Sequence, residues 1–570
     1  MSLSASDPAS APAAGPIARL ASWGLPLSRP GVAFGVVAVL LALVVAIQVA
    51  MQTGGRNDDA ELLLFSQTLA WGYDPLNPPL VVWLAWLMGQ AVAGAGHLLA
   101  ALGLDADAWG AALAGALGVT PNPGLLTTRV LIALLLFAAY PLARAATRTL
   151  TSDPGMATLS GLSLAALVAW AWAPHINLAH TVAMTTASFA LVAVVLRLAR
   201  APSWGGFVLL GVVTGLALLT KYNIVLLLAA LLLAGLATPT TRVVLRDGRL
   251  WLSIGLAAVI AAPHVVWLLF QWTAFRTLVD SKLGRDAAPT AVDADVWSGL
   301  VPGLASLGEH ALMVILPAVP LALLVFWRAL LVRPARDGDA DPRQRDLFRF
   351  AALVPLLLLL LMAALVPLAG VTSFNPHHPY ALIIVVVPLF AWLSRGRVTD
   401  AARGLFALVC VVLSLVVPLA MADMIHRTAR TCVAKCNTAL PYAAWADGLR
   451  AAGFGGGTVL VLGSVHHLPL ENLRAFLPGA RLLRPADHQK SGFAPPPSSP
   501  PGDCLVLWPA ASLPETAARL RTGGLPGQGP DTRLPAEAVV GVLDGHLALS
   551  GRPAPPLGYA LVPGGLGSCR

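Results

Sequence analysis

Residues 57–80 read NDDAELLLFSQTLAWGYDPLNPPL, and they stand directly after the first apolar run of the chain, Val32–Met51. Three carboxylates, Asp58, Asp59 and Glu61, therefore lie at a membrane surface. A helix beginning at Ala60 would place Leu62, Phe65 and Leu69 on one face, which suits a helix lying in the interface. Asp58 and Glu61 have the spacing of a capping box, so one reading makes Asp58 a helix cap and nothing more. The other reading uses the same geometry for chemistry. An Asp ionises near pH 3.9 when unperturbed, so a rigidly held Asp58 can take a proton from a hydroxyl nucleophile as it attacks.

The surroundings of this stretch identify the solvent as lipid. The 570 residues are 57% hydrophobic and only 11% charged, whereas soluble domains carry about a quarter charged residues. Apolar runs fall near 32–51, 127–146, 156–173, 181–199, 206–220, 223–238, 251–270, 311–331, 350–369, 380–393 and 404–422, or about eleven spans. A span needs roughly 18 or more apolar residues. The run 32–51 exceeds the apolar core of a signal peptide, about 7–15 residues, and reads as an uncleaved first span. The formal charge of +9 is scattered in short clusters between apolar runs, with no basic stripe, so nucleic acid is not a partner. The predicted fold is an all-α polytopic membrane protein with a small external C-terminal α/β domain.

Arg and Lys set the orientation. Alternate connectors hold Arg144 and Arg148, Arg197 and Arg200, Arg242 to Arg249, Arg328 to Arg349, and Arg395 to Arg403; the intervening ones are poor in positive charge. This places residues 1–30, rich in Ala, Pro and Ser, as a disordered cytoplasmic N-terminus. Residues 31–422 form the membrane core and 423–570 an external domain. The stretch 57–128 holds no Lys or Arg, so 52–126 reads as one external loop whose apolar run at 79–102 is interfacial or re-entrant. In the C-terminal part, TVLVLG (458–463) and CLVLW (504–508) read as buried strands. Cys432, Cys436, Cys504 and Cys569 cluster there, which suits disulfides in an oxidising compartment, with the pairing open. Cys432-x3-Cys436 lacks the partner set of a zinc site, and Cys410 lies within a span as a packing residue.

Residues 57–80 resemble the first external loop of bacterial family-39-like glycosyltransferases, relatives of protein O-mannosyltransferases and lipid A aminoarabinose transferases. The matching positions are Asp58-Asp59-Ala60, then Leu69 to Tyr73, then Pro78-Pro79-Leu80 with Trp83-Leu84; Glu61 and Leu62 depart from the family's aromatic positions. Gly215 to Tyr222 (GLALLTKY) resembles the family's hinge between two spans. Lys221 is the only charge in an apolar stretch of about 40 residues, which marks either a site or a side chain snorkelling at a helix end. Ser373 to Tyr380 (SFNPHHPY) occupies the place of a polar-aromatic motif; His377 and His378 suit phosphate or acceptor contact better than metal, or simply pack at the interface. Arg276, Lys282 and Arg285 break the positive-inside trend, as a phosphate-binding loop would, or belong to a solvated loop. His180 stands where other members carry an Asp.

The resemblance, which covers most of residues 30–400, implies the GT-C fold and an inverting transfer from a polyprenyl-phosphate sugar donor to a lipid, glycan or protein acceptor, on the outer face of a bacterial inner membrane. It implies Asp58 as base with Asp59 beside it. Lys221, Tyr222, Arg276, Lys282, Arg285, His377 and His378 would meet the donor phosphate, and Glu61, Gln67, Tyr73, His180 and Tyr380 the substrate. No cofactor is certain; a divalent metal is the one candidate. A transporter or flippase for a lipid-linked sugar is the rival reading, and a non-catalytic assembly protein a third. The chain has no nucleotide-binding loop, hydrolase elbow or zinc helix, and no evident internal repeat. A transferase requires Asp58, Lys221 and the His377–His378 pair to meet in one external cleft.

Overall fold

The computed structural model describes residues 16–101, 120, 122–282, 296–331, 341–432, 436–462, 469–485, 493–497, 502–509, 513–524, 532–567 and 569. The chain opens with α1 (Pro16–Gly24), α2 (Pro30–Met51), α3 (Asn57–Phe65) and α4 (Leu80–Ala101). The bundle continues with α5 (Pro123–Leu150), α6 (Pro154–Leu162), α7 (Val168–Ala171), α8 (Ala179–Arg200), α9 (Trp204–Leu218), α10 (Ile224–Ala237) and α11 (Pro239–Arg246). It is completed by α12 (Leu250–Phe270), α13 (Trp272–Lys282), α14 (Val296–Ile315), α15 (Ala318–Val325), α16 (Trp327–Leu331), α17 (Pro342–Ala369), α18 (Val386–Leu393) and α19 (Asp400–Thr431).

All eleven apolar runs fold as helix, but five of them are broken or short. Seven described helices are long and apolar enough to cross a membrane, or ten if each of three bent pairs is one span. The seventh long helix is α4, which was not among the eleven. The chain turns by 112° between α10 and α11 and by 59° between α14 and α15. Pro239 and Pro317 stand at these breaks, where a missing N–H and a ring clash stop a helix. α9 has fifteen residues, a rise of about 22 Å.

The bundle has two distinct ends. At one, the basic connectors meet: Arg403 pairs with Asp153 at 2.6 Å, Arg343 donates to the Ala199 carbonyl at 2.8 Å and the Thr240 hydroxyl donates to Asp346 at 3.0 Å. α19 then carries the chain through 32 residues to the opposite end. Residues 16–28, expected to be disordered, instead form α1 and a short 3-10 turn packed on α19. The reason is close backbone approach: a Cβ on Gly24 would collide with the Gly404 carbonyl, and one on Gly404 with the Ala21 carbonyl.

At the far end, α3 does not lie in an interface as expected. Leu62, Leu63, Leu64 and Phe65 are all buried, because the C-terminal segment closes over them. The Asn472 side chain brackets Gly55, accepting its N–H at 2.7 Å and donating to its carbonyl at 3.1 Å. Phe493 packs edge-on against Phe65. The run read at 79–102 forms one continuous helix over Leu80–Ala101, α4. Its start bonds the Leu219 carbonyl through the Leu80 N–H, and two to three turns later Gly89 and Gln90 still border the first turn of α5.

The C-terminal sheet has five strands, β1 (Gly457–Val461), β2 (Arg481–Leu483), β3 (Asp503–Pro509), β4 (Val539–Leu543) and β5 (Leu557–Val562), in the order β2-β1-β3-β5-β4. β1 is parallel to β2 and β3, and β5 is antiparallel to β3 and β4. Alternation decides the two faces. Val459, Val461, Leu505 and Leu507 join the cluster that includes Trp445 and Leu449 of α20 (Tyr442–Ala451). Leu460, Val506 and Trp508 face Leu520 of α21 (Leu513–Gly523). Disulfides join Cys432 to Cys436 and Cys504 to Cys569, and Cys410 is free and buried.

Candidate active site

α3 begins at Asn57, three residues earlier than its apolar spacing suggested, and this reassigns its carboxylates. The N-cap is Arg56, and the box is closed by Asp59, which accepts the Arg56 N–H at 3.2 Å. Asp58 does not cap its own helix. Its Oδ2 accepts the N–H groups of Leu178 and Ala179, each at 2.8 Å, while the Asn177 side chain accepts the Asp58 N–H at 3.0 Å. Asp58 thus sits on the N-terminus of the 22-residue α8, where the exposed N–H groups and the helix dipole favour an anion. Leu178 adopts a left-handed conformation, φ 87°, at a cost on the order of 1–3 kcal/mol for a residue with a Cβ. Burial pushes the Asp58 carboxyl above its ordinary value, opposed by those two N–H groups and the charges of Lys221 and Arg129.

Asp59 is almost fully buried and pairs with Arg129 at 2.5 Å, itself 3% exposed. Burial pushes Asp59 up as well, and Arg129 is the strongest opposing influence. The Arg129 Nη1 donates to the His175 carbonyl at 2.8 Å, and the Gln48 amide donates to the same carbonyl at 2.6 Å. α2, α3 and α5 are thereby tied to the turn that presents Leu178 and Ala179. Arg129 was missed in the sequence. Its signal was available: it is the first basic residue after the Lys/Arg-free stretch, and it lies inside an apolar run, where an ionisable group is costly.

Lys221 occupies the turn between α9 and α10, and its Nζ donates to Thr181 Oγ1 at 2.9 Å, one turn into α8. Next to it, the Tyr222 hydroxyl meets His264 Nε2 at 3.1 Å, and His264 Nδ1 meets the Trp71 carbonyl at 3.0 Å. The Asn223 amide donates to the His378 carbonyl at 3.3 Å. The three motifs at 57–80, 215–222 and 373–380 are brought together by these contacts. His377 and His378 pack ring against ring, Phe374 edge-on to His378, and Tyr380 is buried. Arg276 is exposed on α13, next in chain to Phe275, which packs on Tyr222. Arg285 and the side chain of Lys282 lie outside the described residues. The segment that carries Arg276 and Lys282, read as a loop, is helical over Trp272–Lys282 in α13.

The remaining candidates face elsewhere. Glu61 turns to the C-terminal segment, 3.9 Å from Arg484, which also pairs with Glu471 at 3.1 Å. Gln67 exchanges two bonds with the main chain of Leu482, 2.9 and 2.8 Å, stitching the loop after α3 to β2. The Tyr73 hydroxyl donates to the Thr68 carbonyl at 2.7 Å and accepts the Ala70 N–H at 3.0 Å. His180 is the second residue of α8, with Nδ1 buried and unbonded. Among the described residues, no group of three or more His, Cys, Asp or Glu side chains forms a metal-ligand set.

A helical membrane bundle, capped at one end by an acidic loop and a small mixed sheet, is the architecture of a GT-C transferase. The chain is a multi-pass membrane glycosyltransferase with the GT-C fold. The family model of dolichyl-phosphate-mannose-protein mannosyltransferases matches residues 106–267, which include Lys221 but not Asp58. The lipopolysaccharide core galacturonosyltransferase RgtB of Rhizobium johnstonii is 27% identical over 394 residues, 68% of this chain and 70% of that protein. RgtA of the same organism, also a lipopolysaccharide core galacturonosyltransferase, is 25% identical over 398 residues, 64% and 72% of the two chains. In structure the chain is similar to ArnT from Cupriavidus metallidurans, solved bound to undecaprenyl phosphate. The TM-score is 0.50 at 13% identity, covering 92% of this chain and 98% of ArnT.

Proposed function

We propose that the protein transfers a sugar from a polyprenyl-phosphate donor to an acceptor hydroxyl at the periplasmic face of the inner membrane, with inversion and with Asp58 as the base. The observation that carries this reading is the Asp58 carboxylate, fixed through Oδ2 on the N-terminus of α8 with Lys221 hydrogen-bonded to the same helix. One oxygen is committed to main-chain N–H groups, and the other accepts the acceptor's proton. The acceptor oxygen then bonds the anomeric carbon as that carbon's bond to the phosphate oxygen breaks. Negative charge grows on the departing phosphate, where Lys221, the His377–His378 pair and the basic residues Arg276, Lys282 and Arg285 would stabilise it. Asp59 and Arg129 position Asp58 rather than touch substrate. In this orientation the N-terminus and the basic end are cytoplasmic, and the segment from 423 onward is periplasmic.

The relatives choose the first substrates to try. Purified protein in nanodiscs is given undecaprenyl-phosphate galacturonate and lipopolysaccharide core, and core mass is followed by mass spectrometry. A mass gain of one hexuronate is expected; failure with a panel of undecaprenyl-phosphate sugars and envelope acceptors sinks the transferase mechanism.

The pH profile tests the base. An unperturbed Asp ionises near pH 3.9, and burial raises Asp58 above that. The base works ionised, so kcat/KM falls as pH drops through the raised value. Lys221 favours the charged carboxylate. Lys221→Gln therefore moves the acid limb to higher pH, in addition to lowering kcat through the lost charge at the phosphate. An acid limb unmoved by this substitution contradicts the assignment.

A further inference from the structure

A cleft opens at the C-terminal end of α3. It is a groove of about 610 Å3, walled by α4, the first turn of α5 and the segments around 474–481 and 495–496. Two guanidinium groups line it, and among the described residues no Asp or Glu does. The Arg474 Nη1 donates to the Leu63 carbonyl at 2.6 Å and to Ser66 Oγ at 3.5 Å. Arg481 donates to the Pro495 carbonyl at 2.7 Å. Among the described residues no carboxylate pairs with Arg474. Burial holds its guanidinium down, to about 10. A desolvated cation without an anion is unfavourable, and a phosphate or carboxylate arriving in its fork removes that penalty.

The other walls suit a saccharide. Trp86 on α4 is half-buried and offers an indole face, and Gln90 and Thr127 offer an amide and a hydroxyl. Apolar ring faces and hydroxyl edges of a sugar need such a mixture of aromatic and hydrogen-bonding surface. The groove also reaches the back of the proposed reaction centre, because Thr128, which borders it, is next in chain to Arg129, the ion-pair partner of Asp59.

We propose that this groove holds an anionic part of the acceptor glycan, distant from the reacting hydroxyl, with its phosphate or carboxylate on Arg474 and Arg481. The acceptor assignment rests on the transfer reaction proposed above; the anion site itself does not. It explains why the sheet is docked so tightly on α3: the C-terminal segment supplies both cations.

The test is binding without donor. Full-length protein in phosphatidylcholine nanodiscs is titrated calorimetrically with core oligosaccharide released from lipopolysaccharide. The same oligosaccharide with phosphates removed and carboxylates reduced is the control. Losing charge-assisted hydrogen bonds should weaken wild-type binding of the control about tenfold or more, and should weaken binding of the native oligosaccharide to R474Q/R481Q to the same extent. R474K/R481K keeps the charge, reports on folding by its melting temperature, and should retain most of the affinity. Equal affinity of wild type and R474Q/R481Q for the native oligosaccharide overturns the proposal. So does loss of co-purifying phosphatidylglycerol from R474Q/R481Q with unchanged oligosaccharide binding, which would make a lipid headgroup the occupant. The titration contains no donor, so a failed transfer reaction leaves this result readable.

Discussion

Asp58→Asn lowers the single-turnover transfer rate by about 10^3-fold while the protein stays folded. Loss of a general base typically costs 10^2- to 10^4-fold, roughly 3–5 kcal/mol of barrier. The amide still accepts from the main chain of Leu178 or Ala179, so the N-terminus of α8 keeps its partner. This separates the two roles that the position allows. A cap alone contributes about 1 kcal/mol to stability and nothing to rate. The measurements are the rate constant in nanodiscs and the melting temperature of the same sample. A variant that melts early yet transfers at the wild-type rate would make Asp58 a cap for α8 and remove the mechanism.

Arg129→Leu should be the most destabilising substitution in the membrane core. It leaves the Asp59 carboxylate buried without its cation, a loss of about 3–5 kcal/mol, against a whole-domain stability of roughly 5–15 kcal/mol. It also frees the His175 carbonyl from one of its two side-chain donors. The expected result is a large fall in detergent-extractable protein and in melting temperature. Asp59→Leu combined with Arg129→Met should recover much of that stability, since a buried pair replaced by apolar side chains is often neutral. Activity should not return, because the turn that holds Asp58 has lost its anchor. If Arg129→Leu melts with the wild type, the ion pair has no positioning role.

Much of this architecture was legible from residue types. The apolar runs predicted helices and the runs near 458 and 504 predicted strands, because burial in lipid or in a sheet leaves long unbroken apolar stretches. β2, β4 and β5 were not read: RLL is too short to show a period, and Gly541 interrupts VVGVL. The helix at 57–65 was placed but its surroundings were not. Leu62, Phe65 and Leu69 read as an interfacial stripe because the segment that covers the first two, 470–476, lies some 400 residues further along. The N-terminal helix was hidden by its Ala, Pro and Ser composition, and its docking on α19, closest at Gly24 and Gly404, is a contact across the fold.

The acidic loop shows where the division falls. Composition marked lipid as the solvent, and the order of charges singled out the carboxylate pair after the first apolar run and the lone Lys221. Tertiary structure decided which partners each carboxylate meets. Asp58 finds its N–H donors 120 and 121 residues away, and Asp59 its Arg 70 residues away. Periodicity reports neighbours within a turn or two of helix, so it assigned the capping role to Asp58 and left Arg129 unread. Two adjacent carboxylates on a helix point in directions about 100° apart. Packing put one against a buried guanidinium and the other on an open helix end, and that difference, invisible along the chain, is what the proposed mechanism uses to separate a positioning residue from a base.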